Sequence, residues 1–318
     1  MGELAKKIGE KGEKLVSEFL QVIGWDNFQD GESIACCYPE KHKSPTAKGN
    51  RKTHGIDVFY SFRSQLQDYT LENIVLSVKY TKDPYPANPS TKFKEHLKDL
   101  AQTVDCFMKS ELRSDNNEQY EMTGIQRAND TGVLFWLSNH KESDQDIVSK
   151  IANIHLDKSL NFSTVHIVDN SRASFIYDSI QFIRNNFREF DYSFHHVFSS
   201  SNYQDPKIEK HGQIMPVEYL TSNLLPFRFK RKGTEKEYAF CISCREEFSE
   251  EVIHRLLTLA SDISQEFTEG FVFLFPDYDQ LNHESILKKA LRLRSEGKSS
   301  LDVTVKSYKS DFRNLINE

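Results

Sequence analysis

The segment ENIVLSVKYT, residues 72–81, constrains the chain most. Its apolar run of Ile74, Val75, Leu76 and Val78 is short and rich in β-branched residues, which predicts a strand with a buried face. Lys79 stands inside that run. Residues two apart on a strand share a face, so Ser77 and Lys79 point one way while Leu76 and Val78 point into core. A lysine placed in the middle of a sheet needs a partner or a task, because unpaired buried charge is costly. Asp57 is the first candidate. It opens the alternating run of THGIDVFYSF, residues 53–62. If the two strands form a hairpin, Asp57 and Lys79 converge at one sheet edge.

The surrounding periodicities predict one compact α/β unit. Leu15, Val16, Phe19, Leu20, Val22 and Ile23 cluster on one face of an N-terminal helix that Gly24 ends. ESIACCY predicts a strand, 41–55 a loop, and 56–63 and 73–81 two strands. The prolines of DPYPANPS break the chain. A helix follows over 91–110, with the stripe Phe93, Leu97, Leu100, Ala101, Val104 and Phe107. Residues 111–131 read as polar loop, GVLFWLSN as a fully buried strand, and 142–153 as a charged helix.

From about residue 160 the pattern restarts. STVHIVD predicts a strand, 171–188 a helix and YSFHHVF a strand. PFRFKRKGTEKEYAFCISC predicts a hairpin, followed by a helix at 249–267, the buried strand GFVFLFP, a helix at 282–296 and the strand LDVTVKSY. The expectation is two α/β domains, 1–158 and 159–318. A length of 318 residues agrees with that, because single cores stop growing near this size.

The net charge of −6 divides evenly between the halves, which excludes a globally basic nucleic-acid binder. Contacts to phosphate must use local patches. Residues 41–52 carry Lys41, Lys43, Lys48, Arg51 and Lys52 without an acid. RFKRK carries Arg228, Lys230, Arg231 and Lys232, and 288–298 carries Lys288, Lys289, Arg292, Arg294 and Lys298. Each is a solvated face or a grip on a nucleic-acid backbone. An odd count of five cysteines and no signal peptide predict a reducing, cytoplasmic setting. No apolar run is long enough to span a bilayer.

Asp57 beside Lys79 suits metal-dependent phosphodiester hydrolysis. Hard ions such as Mg²⁺ take carboxylate oxygens and water. The metal activates a water and offsets phosphate charge, and a lysine can position that water and stabilise developing charge. A salt bridge that merely pins the hairpin explains the same spacing.

The order of elements, with Asp57 in GID and Lys79 in SVK, resembles the PD-(D/E)XK nuclease superfamily. It looks most like the branch of Mrr-type restriction nucleases and nuclease effectors of bacterial anti-phage systems. That branch adds a glutamate on the first helix, matched here by Glu13 ahead of Gly24. The resemblance covers roughly residues 8–140. It implies a restriction-endonuclease-like core of order α-β-β-β-α-β, a mixed sheet flanked by helices, followed by a second α/β domain. It implies Mg²⁺ or Mn²⁺ held by Asp57, Glu13 and Val78, with Lys79 orienting the attacking water. DNA is the implied substrate, with RNA also possible. Lys48, Arg51, Lys52, Tyr80 and Lys82 would line the nucleic-acid groove, joined by the RFKRK patch. A protein partner or homo-oligomer is implied, and no membrane.

Ser77 departs from the family pattern, which has a carboxylate two before the lysine. Glu13, then Glu10, then Glu72 are the candidate substitutes. Alternatively the site is completed by a partner or substrate, or the domain is a catalytically dead binding module. A small-molecule α/β enzyme is a third reading of the chain.

Other signals are weaker. Cys241 and Cys244 have zinc spacing, but no second pair stands at the right distance, and buried thiols are the expectation. Cys36, Cys37, His42 and His54 match no common metal spacing. His195 and His196 face opposite sides of a strand, so they read as packed residues. His96 and Lys98 reach phosphate or form a solvated face.

Overall fold

The computed structural model describes residues 2–43, 49–141, 145–197, 209–233, 237–264, 268, 270–295 and 302–309. Contacts divide the chain into two units, 1–174 and 175–318.

In the first unit, α1 (Gly2–Val22) precedes β1 (Gln29–Ala35), β2 (Thr53–Arg63) and β3 (Thr70–Thr81). Then come α2 (Ser90–Phe107), α3 (Glu111–Glu121), β4 (Arg127–Ser138), α4 (Ile147–Ile151) and β5 (Thr164–Val168). The strands form one sheet in chain order. β1, β2 and β3 run antiparallel, while β3, β4 and β5 run parallel. This is the expected mixed core with one strand added.

That strand moves the division of the chain. β5 pairs with β4 from Thr131–Thr164 to Phe135–Val168, so STVHIVD closes the first sheet. The units part at Ser174 and Phe175, not at 158. A short parallel edge strand, half-exposed along most of its length, looks in sequence like the start of a new alternation.

Two helices fix the working end of this sheet. α1 buries Val16 and Leu20 completely, and Ile23 in the turn after it is equally buried. Phe19 packs edge-on against Phe135 at 5.6 Å. Gly24, at φ 79°, ends the helix in the left-handed conformation that glycine takes at least cost. Leu15 lies outside the stripe and is 47% exposed. Gly12 sits directly on β3, and a Cβ there would stand 2.4 Å from Tyr80 Cβ. Only glycine lets α1 lie so close.

α2 packs Phe93, Leu97, Leu100, Val104 and Phe107 against Phe59, Val75, Leu134 and Trp136. Each such burial contributes about 1.5–3 kcal/mol.

α3 falls where polar loop was expected. Ser110 caps it, accepting from Arg113 N at 3.2 Å. Its inward residue is Asn116, bonded to Asn73 at 3.0 Å and Ser61 at 2.8 Å. A helix that docks through asparagine shows no apolar period. The charged helix expected at 142–153 is the short α4, and residues 142–144 lie outside the described residues.

The second unit follows α5 (Asn170–Asn186), which begins in the first. It comprises β6 (Phe190–His195), β7 (His211–Gly212), a 3₁₀ helix (Val217–Leu220), β8 (Leu224–Arg231), β9 (Glu237–Cys244), α6 (Glu250–Ser264), β10 (Gly270–Phe275), α7 (Gln280–Ser295) and β11 (Asp302–Ser307). The sheet order is β11-β10-β9-β8-β6-β7. β8 and β9 form the expected antiparallel hairpin, and β9, β10 and β11 run parallel. Phe240, Ile242, Phe271 and Phe273 pack there with Ile253, Leu256 and Leu257. Among the described residues, no helix is long and apolar enough to cross a membrane.

Candidate active site

The ladder between β2 and β3 stops before either strand does. Pairing runs from Arg63–Leu71 to Val58–Leu76. Beyond it, residues 53–56 stay with β1, while residues 77–81 stay with β4. The strands therefore part at Asp57, and its carboxylate fills the mouth. Val78 N–H donates to Asp57 Oδ2 at 2.6 Å, and the Ser77 hydroxyl donates to the same oxygen at 3.3 Å. The carboxylate takes up a backbone donor that β2 no longer meets.

Lys79 turns to α2. Its Nζ lies 3.3 Å from Asp99 Oδ2, while Arg51 Nη1 lies 2.9 Å from Asp99 Oδ1. Burial alone would raise the Asp99 pKa, but Lys79 and Arg51 outweigh it and hold the carboxyl below its ordinary value. The direct Asp57–Lys79 ion pair is thus not what pins the hairpin. Each residue has its own partner, and the two stand at adjacent points of the mouth.

Glu13, on α1, lies close enough to Asp57 for the two carboxylates to repel each other. It is exposed at the surface, yet partial burial of its carboxyl raises its pKa, and repulsion from Asp57, Glu10 and Asp30 adds to that. Carboxylates that repel one another around a gap are the hard oxygen donors a divalent cation takes. Such carboxylate oxygens are chemically suited to a hard divalent cation. Of the other candidate carboxylates, Glu10 forms an exposed pair with Lys6 at 3.7 Å. Glu72 is excluded, being 2% exposed, bonded to Asn129 at 3.0 Å and set opposite Phe62 far along β3.

The expected nucleic-acid residues are unevenly placed. Lys52 and Lys82 are exposed, and Tyr80 is half-buried beneath Gly12. Arg51 is engaged by Asp99 and by Thr53 O at 3.1 Å. Lys48 lies outside the described residues. In the second unit, Arg228 donates to His195 Nδ1 at 2.9 Å, Arg231 lies over the Phe190 ring, and Lys232 pairs with Asp191 at 4.0 Å. Lys230 stands opposite Asp191 across the ladder.

The paired histidines of β6 and its end are packed. His195 and His196 are 3% and 1% exposed. His96 stacks edge-on against Trp136 at 5.4 Å, and burial, then Lys79, push its pKa down to about 4. It is not a phosphate-binding cation at neutral pH. Cys241 and Cys244 are buried in β9.

Asp99 is the residue that sequence reasoning missed. It sits between Leu97 and Leu100, at the margin of an apolar stripe, where a carboxylate reads as solvated.

A helix, three strands that part at an aspartate, a lysine one residue past the bonded main chain, then a helix and a strand: this is the architecture of a PD-(D/E)XK nuclease domain. The family model described as GAPS4 protein PD-(D/E)XK nuclease domain matches residues 1–172, more than half of the chain. The chain belongs to that family. No curated protein matches it.

Proposed function

We propose that the first unit hydrolyses DNA phosphodiester bonds with Mg²⁺ or Mn²⁺. The observation that supports this reading is the parting of β2 and β3 at Asp57, two residues in register from Lys79 on β3 and within electrostatic reach of Glu13. Asp57, Glu13 and the main chain of Val78 would hold the ion. When bound, it supplies a more acidic water and offsets charge on the scissile phosphate. Lys79 orients the attacking water and balances charge developing on the phosphate. Asp99 aims the lysine. Ser77 serves as a brace for Asp57 rather than as a ligand. Lys52 and Lys82 contact the nucleic-acid backbone, and RNA offers the same phosphate chemistry.

The second unit would bind nucleic acid or a protein partner, with the RFKRK hairpin as its grip. Family membership supports a role as the nuclease component of a prokaryotic anti-phage complex. Ser77 favours one rival, a degenerate nuclease fold kept for binding or assembly. Plasmid cleavage separates them. The wild-type chain should cut with Mg²⁺ or Mn²⁺, and Asp57→Ala and Lys79→Ala should not. Cleavage that survives both substitutions sinks the proposal. A wild-type chain that never cuts, even with its partner, selects the rival.

A further inference from the structure

A second cluster, which includes His54 three residues before Asp57 in β2, is not used by the proposed nuclease chemistry. Cys36 directly follows β1, His42 lies in the loop toward β2, His54 is in β2, and Cys106 is near the end of α2. One ligand atom from each lies within 4.8 Å of all the others, and three of the four residues are buried.

Their spacing has the dimensions of a zinc site. Zinc–nitrogen and zinc–sulfur bonds give tetrahedral edges of about 3.3 Å between nitrogens and about 3.6 Å between nitrogen and sulfur. His42 Nδ1 lies 3.3 Å from His54 Nε2, 3.6 Å from Cys36 Sγ and 3.4 Å from Cys106 Sγ.

The outer partners turn the right atoms inward. Thr103 Oγ1 gives its one proton to Asp99 O at 2.9 Å. Its 3.2 Å contact with His54 Nδ1 is therefore a hydrogen bond only if Nδ1 carries the proton. That leaves the Nε2 lone pair facing the cluster. His42 Nε2 faces Asp105 Oδ2 at 3.8 Å, which favours the proton there and frees Nδ1. Asp105 is itself held by Lys109 at 2.9 Å and Asn161 at 2.8 Å. Cys37 N–H points at Cys106 Sγ at 3.3 Å, as a thiolate ligand invites. Orienting partners of this kind are characteristic of metal-ligating histidines.

Hydrogen bonding among neutral groups explains the cluster less well. The single lone pair of His42 Nδ1 is faced by three atoms, and one proton satisfies only one of them. A cation at the centre satisfies all four.

We propose that Cys36, His42, His54 and Cys106 bind Zn²⁺ as a closed structural site. Four protein ligands leave no open position for a reacting water. The ion ties the β1–β2 loop and the start of β2 to α2. Thr103, one turn past Asp99, then links the zinc ligands to the residue that holds Lys79.

The test is metal analysis of the full chain, purified without chelator and then offered Zn²⁺. About one tightly held zinc per chain is expected. Cys36→Ser with Cys106→Ser should abolish it, whereas Asp57→Ala should leave it unchanged. Thr103→Val, which keeps all four ligands, should weaken zinc by roughly 10–100-fold. Because the double-cysteine variant can fail to fold, Co²⁺ exchanged into the wild-type chain gives an independent reading. The visible bands of tetrahedral cobalt and a thiolate charge-transfer band are expected. A wild-type chain that holds no zinc and shows no such cobalt bands overturns the proposal. So does zinc that survives loss of both cysteines, or that leaves with Cys241→Ala and Cys244→Ala instead.

Discussion

Two clusters hang from β2 three residues apart, one at Asp57 and one at His54, and they are opposites. Asp57 is half-buried where β2 and β3 part, and its carboxylate accepts from Val78 N–H and the Ser77 hydroxyl. The His54 cluster is closed and mostly buried, and its four nitrogen and sulfur donors all face inward. Both lean on α2, the first through Asp99 and the second through Thr103 and Cys106. The difference teaches a division of labour. Hard oxygen donors at a solvent-facing gap suit an ion that exchanges water and meets phosphate. Imidazole and thiolate donors in a mostly buried cluster suit a tightly held structural ion. One strand and one helix contribute to both.

The largest effects should come from the open mouth. Lys79→Ala and Asp57→Ala should each lower the cleavage rate by about 10²–10⁴-fold while leaving zinc content unchanged, and Asp57→Ala, which strips the Val78 N–H of its acceptor, should also cost about 1–3 kcal/mol of stability. A cleavage assay beside a melting curve reads both. If either variant also loses zinc, the two clusters are not separable.

Next comes the closed cluster. Cys106→Ser should cost on the order of 3 kcal/mol, seen as a fall in Tm of roughly 10 °C in calorimetry, with weaker cleavage following from the loosened α2. Equal melting with and without the cysteine would remove the structural role.

Asp99→Asn probes the join between the clusters. It keeps the side-chain shape but removes the charge that balances Lys79 and Arg51. A drop of about tenfold in kcat is expected, with KM little changed. A rise in KM alone would make Asp99 a substrate-binding residue instead.

Gly12→Ala tests how α1 delivers Glu13. The added methyl meets Tyr80 at the strand, so α1 must shift. Overpacking of this kind costs about 1–3 kcal/mol, and denaturant melts would read it.

The smallest effect is expected from Glu13→Gln, as a few-fold higher Mg²⁺ requirement, in line with loss of one ligand at an exposed site. Its pH dependence carries the sign. Below the glutamate's pKa the wild-type side chain is protonated and behaves like glutamine, so the two curves merge as pH falls. Partial burial and then the neighbouring carboxylates raise that pKa, so merging should begin above the range of an ordinary glutamate. Curves that stay parallel at all pH values would remove Glu13 from the metal site. Ser77→Glu should shift the preference among metals rather than create activity, because Asp57 and Glu13 already supply charge.

Much of the first unit was legible in the sequence because its signals are local. The apolar stripe of α2 and the alternation of β2 and β3 each lie within a short window, and Gly24 marks a helix end by its own conformation. What escaped was non-local or polar. Asn116 docks α3 through hydrogen bonds, which leave no hydrophobic period. β5 belongs to the first sheet only through its pairing with β4. At the site, Asp57 and Lys79 stood out as charged residues at strand spacing, and Glu13 was proposed only through the resemblance to the nuclease superfamily. Asp99 was hidden in a helix face, and Arg51 looked like a free cation until the fold paired them. Three of the four zinc-cluster residues stand close together in sequence without a common spacing. The fourth, Cys106, arrives on a distant helix, so spacing alone discards the group.

Metal binding by the full chain tests the division between the clusters most directly. Zinc content and Mn²⁺ titration would be measured together on the wild-type chain, Asp57→Ala and Cys36→Ser with Cys106→Ser. The wild-type chain should hold one zinc and take up Mn²⁺ at a second place. Asp57→Ala should lose the Mn²⁺ and keep the zinc, and the cysteine variant should lose the zinc. Mn²⁺ binding that is untouched by Asp57→Ala would contradict the assignment of the open mouth as the nuclease metal site.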